Sequence, residues 1–106
     1  MKAQPLKLGE GSYIHCEADE ATHIMLCLPG PIPTRIIPVM IKGSRKDTGN
    51  WTWNGDTELP TLKPSVRSTD GHNVCHTFIT DGKVIFLGDC THELANQTLD
   101  LLEVDY

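Results

Sequence analysis

Sulfur and imidazole carry the chemistry in this sequence. Four cysteines and five histidines fall within 106 residues, and both side chains ligate transition metals. The densest group is Cys75-His76 together with Asp89-Cys90-Thr91-His92. Thiolates and imidazoles in one cluster suit Zn2+, which takes four N and S donors in a tetrahedron. The chain opens Met1-Lys2-Ala3-Gln4-Pro5-Leu6, with no apolar export segment, so a cytoplasmic location with reduced thiols is expected. Metal ligation is then favoured over two disulfides. A bound metal also contributes on the order of 10 kcal/mol to folding a small domain. That would support a chain with only two Trp, two Tyr and two Phe for its core.

The elements that position these residues can be read locally. Val74 to Thr80 and Lys83 to Asp89 are β-rich runs around Asp81-Gly82, the signature of a hairpin with a type I′ turn. A two-residue loop fixes the register, so Thr80 faces Lys83, Phe78 faces Ile85, His76 faces Leu87 and Cys75 faces Gly88. One face then holds Cys75, Thr77, Ile79, Val84, Phe86, Gly88 and Cys90. The other holds His76, Phe78, Ile85, Leu87 and Asp89. Cys75 and Cys90 are diagonal neighbours with Cβ atoms roughly 7–8 Å apart, long for a disulfide at about 3.8 Å but within reach of one metal. His92 has the parity of Cys90. Cys16, at the end of an expected strand over Ser12 to Cys16, is the natural fourth donor. The expected ligand set is therefore Cys16, Cys75, Cys90 and His92, with His76, His23 and Asp19 as alternates. On the opposite face, Asp89 beside His76 either orients a ligand imidazole, prepares a general base, or forms a structural hydrogen bond.

The rest of the chain reads as short strands between turns. His23 to Leu28 should pair with Ser12 to Cys16 as a hairpin. Arg35 to Ile41 reads as an edge strand because Pro38 interrupts it. Gly43 to Gly49 is a polar, basic loop. Trp51 and Trp53 share a face in an extended segment, either as core or as a stacking surface for a ligand or partner. Asn54-Gly55 marks a turn, and Pro60 to Ser65 is a rigid connector. Thr91 to Gln97 should hold a short helical turn capped by Thr91. These elements predict a single all-β domain over 1–106, a small sandwich or partial barrel of short antiparallel strands stabilised by a metal.

Composition narrows the functional classes. A net charge of −5 with no basic cluster disfavours nucleic-acid binding, and no apolar run is long enough for a membrane span.

Four motifs carry a resemblance: W-x-W-N-G-D at Trp51 to Asp56, P-T-x-x-P-S at Pro60 to Ser65, C-H-x-F-I-x-D-G at Cys75 to Gly82, and D-C-T-H at Asp89 to His92. Together they resemble a family of small phage, prophage and bacterial proteins, some encoded beside ubiquitin-like conjugation genes. Members at times carry the label ammonia monooxygenase, which a chain this short and acidic does not support. The family pattern has C-P-x-C-x3-H near its N-terminus. Cys16 and His23 align with its first Cys and its His, and Asp19 stands at the second Cys. The pattern also admits Ser at the position of Cys90. A phage-type relative implies an accessory factor acting in a host cytoplasm, through a protein partner, on a host process or defence.

Three functions follow as expectations. The first is a zinc-stabilised module that binds another protein, with oligomeric state left open. The second is a zinc hydrolase using Asp89 or Glu93 as base; thiolate-rich sites favour the structural role over this one. The third is a small-ligand binder using Trp51 and Trp53.

Overall fold

The computed structural model describes residues 1–41 and 51–104. The expected loop at Gly43 to Gly49 lies outside the described residues. The described residues form ten short strands: β1 (Gln4–Leu8), β2 (Tyr13–His15), β3 (His23–Cys27), β4 (Thr34–Ile41), β5 (Trp51–Trp53), β6 (Leu62–Lys63), β7 (Val66–Thr69), β8 (Val74–Thr80), β9 (Lys83–Phe86) and β10 (Thr98–Asp100). They build a six-stranded sheet in the order β2-β1-β3-β4-β5-β6 and a four-stranded sheet in the order β10-β9-β8-β7. All pairings are antiparallel except β4 with β5. The architecture is an all-β sandwich without a closed barrel. No helix among the described residues is long and apolar enough to cross a membrane.

The Asp81-Gly82 hairpin has the register its turn dictates. Asp81 and Gly82 both hold positive φ, at 49° and 75°, as a type I′ turn requires. Thr80 pairs with Lys83 and Phe78 with Ile85. The faces sort as the alternation demands. Cys75, Thr77, Ile79, Val84, Phe86 and Cys90 are buried, packed with Ile24, Leu26, Val39 and Trp53 of the other sheet in one core. Gly88 leaves room opposite Cys75, and Asn96 takes it: a Cβ on Gly88 would stand 3.0 Å from Asn96 Oδ1.

Three expectations are corrected. Tyr13–His15 and His23–Cys27 do not pair with each other; β1 lies between them and pairs with both. Arg35 to Ile41 is not an edge. Val39 N–H bonds Thr22 O, so odd-numbered residues of β4 bond β3 and Pro38 turns its missing donor the other way. Pairing with β5 begins only at Val39, so the proline breaks no ladder bond. Trp53 is 0% exposed and cannot serve as a stacking surface; it fills the core. The turn expected at Thr91 to Gln97 takes the form of two tight turns, closed by Ala95 N–H to His92 O and Gln97 N–H to Leu94 O. Ala18–Glu20 is the one short 3-10 turn among the described residues.

The glycines in the two hairpin turns of the four-stranded sheet, Gly71 between β7 and β8 and Gly82 between β8 and β9, differ in their surroundings. Gly71 (φ 90°) has open space where a Cβ would stand, whereas a Cβ on Gly82 would lie 3.2 Å from Glu58 O and from Leu59 Cδ2. Gly71→Ala should therefore cost only backbone strain, about 1 kcal/mol. Gly82→Ala adds a clash and should cost roughly 2–3 kcal/mol. Urea unfolding measures both, and equal losses would contradict the packing at Gly82.

Candidate active site

The connector from β6 to β7 carries the chain from one sheet to the other through Pro64-Ser65. Val66 is buried, so alternation puts Ser65 and Arg67 on the outer face of the four-stranded sheet. Arg67 pairs with His76 on β8, which brings Ser65 diagonally next to His76. Leu87 N–H bonds His76 O at 2.9 Å, which carries the hairpin register on towards Asp89.

These three side chains form a continuous hydrogen-bonded series. Ser65 Oγ lies 2.9 Å from His76 Nε2. His76 Nδ1 lies 2.9 Å from Asp89 Oδ2 and 3.2 Å from Oδ1. An ionised carboxylate only accepts, which assigns the ring proton to Nδ1 and leaves Nε2 to accept from the Ser65 hydroxyl. The hydrogen bond from His76 is the largest cause holding the Asp89 carboxyl below its ordinary pKa; desolvation opposes it, and the charges of His76 and Arg67 add smaller pulls downward. The Asp89 side chain is 57% exposed and that of His76 24%, so solvent screens this pair strongly.

Main-chain anchors hold the series in place. Trp51 Nε1 donates to Ser65 O at 3.1 Å. Cys90 clamps the His76 backbone from the core side: His76 N–H donates to Cys90 Sγ, and the thiol donates to His76 O, both at 3.3 Å. Trp51 is thus half-buried structure at the site rather than an open stacking surface.

Of the expected metal ligands, Cys75, Cys90 and His92 come together. Their ligand atoms lie within 4.8 Å of one another, and they could hold a metal ion. Burial pushes the Cys75 thiol up, against a smaller opposite pull from the Arg35 guanidinium. His92 Nε2 is buried without a partner among the described residues. Its Nδ1 accepts Leu94 N–H at 3.3 Å, and the ring packs edge-on to Phe86 at 5.4 Å. A cleft of 340 Å3 lined by Gly30, Pro31, His92, Glu93 and Leu94 reaches this ring.

The N-terminal candidates lie elsewhere. Cys16 follows β2, bonds Pro5 O through its N–H, and is not part of the cluster; burial, then nearby carboxylates, raise its thiol. His23 on β3 lies 2.9 Å from Thr22 Oγ1 through Nδ1 and stacks edge-on against Tyr13 at 4.9 Å; burial lowers its imidazole pKa. Asp19 sits in the 3-10 turn. His76, an alternate ligand by sequence, faces Ser65 and Asp89 instead. Glu93 is exposed.

A family model described as bacterial ubiquitination-like system serine protease (BubE) matches residues 2–87. The chain belongs to the BubE family. That match includes Ser65 and His76 and stops two residues short of Asp89. Searches of curated proteins and of solved structures returned no match to this chain. BubE membership makes this a family tied to a bacterial ubiquitination-like system, which the gene neighbourhood of the resembling proteins anticipates.

Ser65 is the residue that the sequence did not disclose. It has no G-x-S-x-G setting and reads as the end of a proline-rich connector. The available signal was indirect: a His–Asp pair on an outer face leaves a free Nε2, and a hydroxyl one strand away was the group to look for.

The Cys90 clamp is separable by substitution. Cys90→Ser retains one donor and one acceptor for the His76 backbone, whereas Cys90→Ala removes the acceptor of His76 N–H and leaves His76 O with Leu87 N–H alone. Cys90→Ala should lose about 1–2 kcal/mol more stability than Cys90→Ser. Thermal and urea unfolding of the two variants measure it, and a Ser variant as weak as the Ala variant argues against the clamp.

Proposed function

We propose that this BubE-family chain is a serine hydrolase that cleaves an acyl bond, of peptide type, in protein substrates of a ubiquitination-like system. The observation that supports it is the unbroken series Ser65 Oγ–His76 Nε2 and His76 Nδ1–Asp89 carboxylate, each link at 2.9 Å. The family description, serine protease, agrees with it. The accessory-module reading favoured from the sequence assigns these three side chains no task. A zinc hydrolase is less well supported, since the candidate ligands Cys75 and Cys90 are buried on the core face, away from Asp89.

The chemistry follows from the atoms. Ser65 Oγ attacks the substrate carbonyl carbon as His76 Nε2 takes the hydroxyl proton. The resulting imidazolium is stabilised by the Asp89 carboxylate through Nδ1–H. When the tetrahedral intermediate collapses, the carbon–nitrogen bond breaks and Nε2–H gives its proton to the leaving amine. Water then repeats the sequence on the Ser65 ester, releasing the acid and restoring the hydroxyl.

A fluorophosphonate probe should label wild-type protein at Ser65, located by mass spectrometry, and Ser65→Ala should not label. Asp89→Asn should keep the fold and lower turnover by about 10⁴-fold, because the amide favours the wrong His76 tautomer. Labelling that persists in Ser65→Ala refutes the assignment.

We propose further that Cys75, Cys90 and His92 hold Zn2+ in a structural role. The observations that favour it are two buried sulfurs and a His92 ring nitrogen within 4.8 Å of one another, and a buried His92 Nε2 with no partner among the described residues. A neutral imidazole that ligates through Nε2 carries its proton on Nδ1, so ligation there requires the weak Leu94 N–H bond to open, and Cys90 bound as a thiolate keeps the His76 N–H bond but gives up its own donation to His76 O. Protein grown with zinc should contain about one equivalent, and a chelator should lower its melting temperature. Cys75→Ser should abolish the metal content, and Cys27→Ser should not. Metal-free protein whose melting temperature ignores the chelator removes this reading and leaves the Ser65 assignment intact.

A further inference from the structure

The hydrogen-bond parity of the four-stranded sheet leaves one edge open beside Ser65. Asp70 N–H bonds Asn73 O at 3.2 Å, and residues 70 and 73 continue the β7–β8 register of Val66 with Thr77 and Ser68 with Cys75. Bonded pairs alternate along an antiparallel ladder. Val66, Ser68 and Asp70 therefore direct their N–H and C=O groups at β8, while Arg67 and Thr69 direct theirs outward. The β8–β9 ladder agrees: Leu87 N–H bonds His76 O, so His76 faces β9 and leaves β7 to Cys75 and Thr77. β7 ends the sheet order, and among the described residues no strand pairs with its outer side. Ser65 O, which points the same way, is taken by Trp51 Nε1. The open run of the edge thus lies along Arg67 and Thr69 and stops at the proposed nucleophile.

We infer that β7 is the docking strand for substrate: an extended segment of the protein substrate pairs with the outward N–H and C=O of Arg67 and Thr69 as an added strand, which delivers its scissile carbonyl to Ser65. This inference rests on the Ser65 hydrolase reading and names its substrate class, an unfolded stretch or tail of polypeptide. Strand addition suits an edge of this kind because main-chain bonds supply affinity while alternate side chains supply specificity. Continuity with the series Ser65–His76–Asp89 identifies the occupant, since a chain seated along Arg67 and Thr69 ends next to Ser65, where Trp51 closes the edge.

The edge can be edited without touching the ladder. Arg67→Pro removes an N–H that β8 does not use, and proline is tolerated where its missing donor faces outward. Arg67→Ala removes the same side chain and keeps the N–H. The reading is the rate at which a tetra-alanyl diphenyl phosphonate labels Ser65, divided by the rate for a small fluorophosphonate without a peptide. This ratio should fall about 5–10-fold further in Arg67→Pro than in Arg67→Ala, the effect of one hydrogen bond. A second measurement needs no variant. Single N-methyl groups placed along the tetra-alanyl probe should slow labelling of wild-type protein at alternate residues, the period of strand pairing. A flat N-methyl scan, a peptide portion that gives no acceleration, or equal ratios in the two variants overturns the inference while Ser65 labelling stands. Ser65→Ala that still labels overturns the hydrolase reading and this inference with it.

Discussion

Alternation of side chains across β8 is the constraint on which the molecule depends. Because consecutive strand residues point to opposite faces, Cys75 faces the core and its neighbour His76 faces outward. The Asp81-Gly82 turn fixes the register of β9 against β8, and the chain beyond β9 repeats the division, with Cys90 buried and Asp89 exposed. A one-residue slip would exchange the faces. It would push His76 and Asp89 among Ile24, Leu26 and Val39, and turn two thiols to water. Burial of the apolar face thus specifies the geometry of the polar one. The stability of the sandwich and the placement of the catalytic candidates are consequences of the same pairing.

The outer face then sets the electrostatic conditions for chemistry. Asp89 is exposed enough that water competes for its carboxylate, and the Coulomb attraction between it and a developing imidazolium is weak in such a medium. The geometry is nevertheless held from behind, by Cys90 on the His76 backbone and by Trp51 on the Ser65 carbonyl. Preorganisation of the backbone is therefore the means by which the fold fixes these side chains, since among the described residues no buried polar network surrounds them. A bound polypeptide that covers the face would exclude water and strengthen each link.

Much of this was legible from the sequence, and the parts that were not have identifiable causes. The hairpin, both faces, the His76–Asp89 pair and the association of Cys75, Cys90 and His92 all follow from one two-residue turn and strand parity, which are local rules. Ser65 was hidden because its role comes from a contact between strands whose pairing no tight Asn-Gly or Asp-Gly turn announces. Asp70 and Gly71 begin that turn, but His72 and Asn73 complete it. The β1 strand was hidden because Pro5 and Lys7 interrupt its apolar pattern, so the N-terminal hairpin was read without the strand that divides it. Cys16 was assigned to the metal as the donor at the end of another strand, a rule that knows nothing of where in the sheet that strand lies. Trp53 shows the reverse case: few large side chains were available to fill the interior, and it was drawn in.

The buried cluster and the outer series are joined by covalent neighbours. Cys75 precedes His76 and Cys90 follows Asp89, so each buried sulfur shares a peptide bond with one of the two outward partners. A change that shifts the backbone of either cysteine tilts the adjacent Cα–Cβ vector on the other face. Close packing around Phe86 leaves little slack to absorb it. The Cys90 thiol tightens this linkage, because it bonds the backbone of His76 as well as being the residue after Asp89. Order on the core side is thereby passed to the imidazole and the carboxylate without any side chain crossing the sheet. This explains how a chain of this length can hold three hydrogen-bonded side chains in line with so little protein around them.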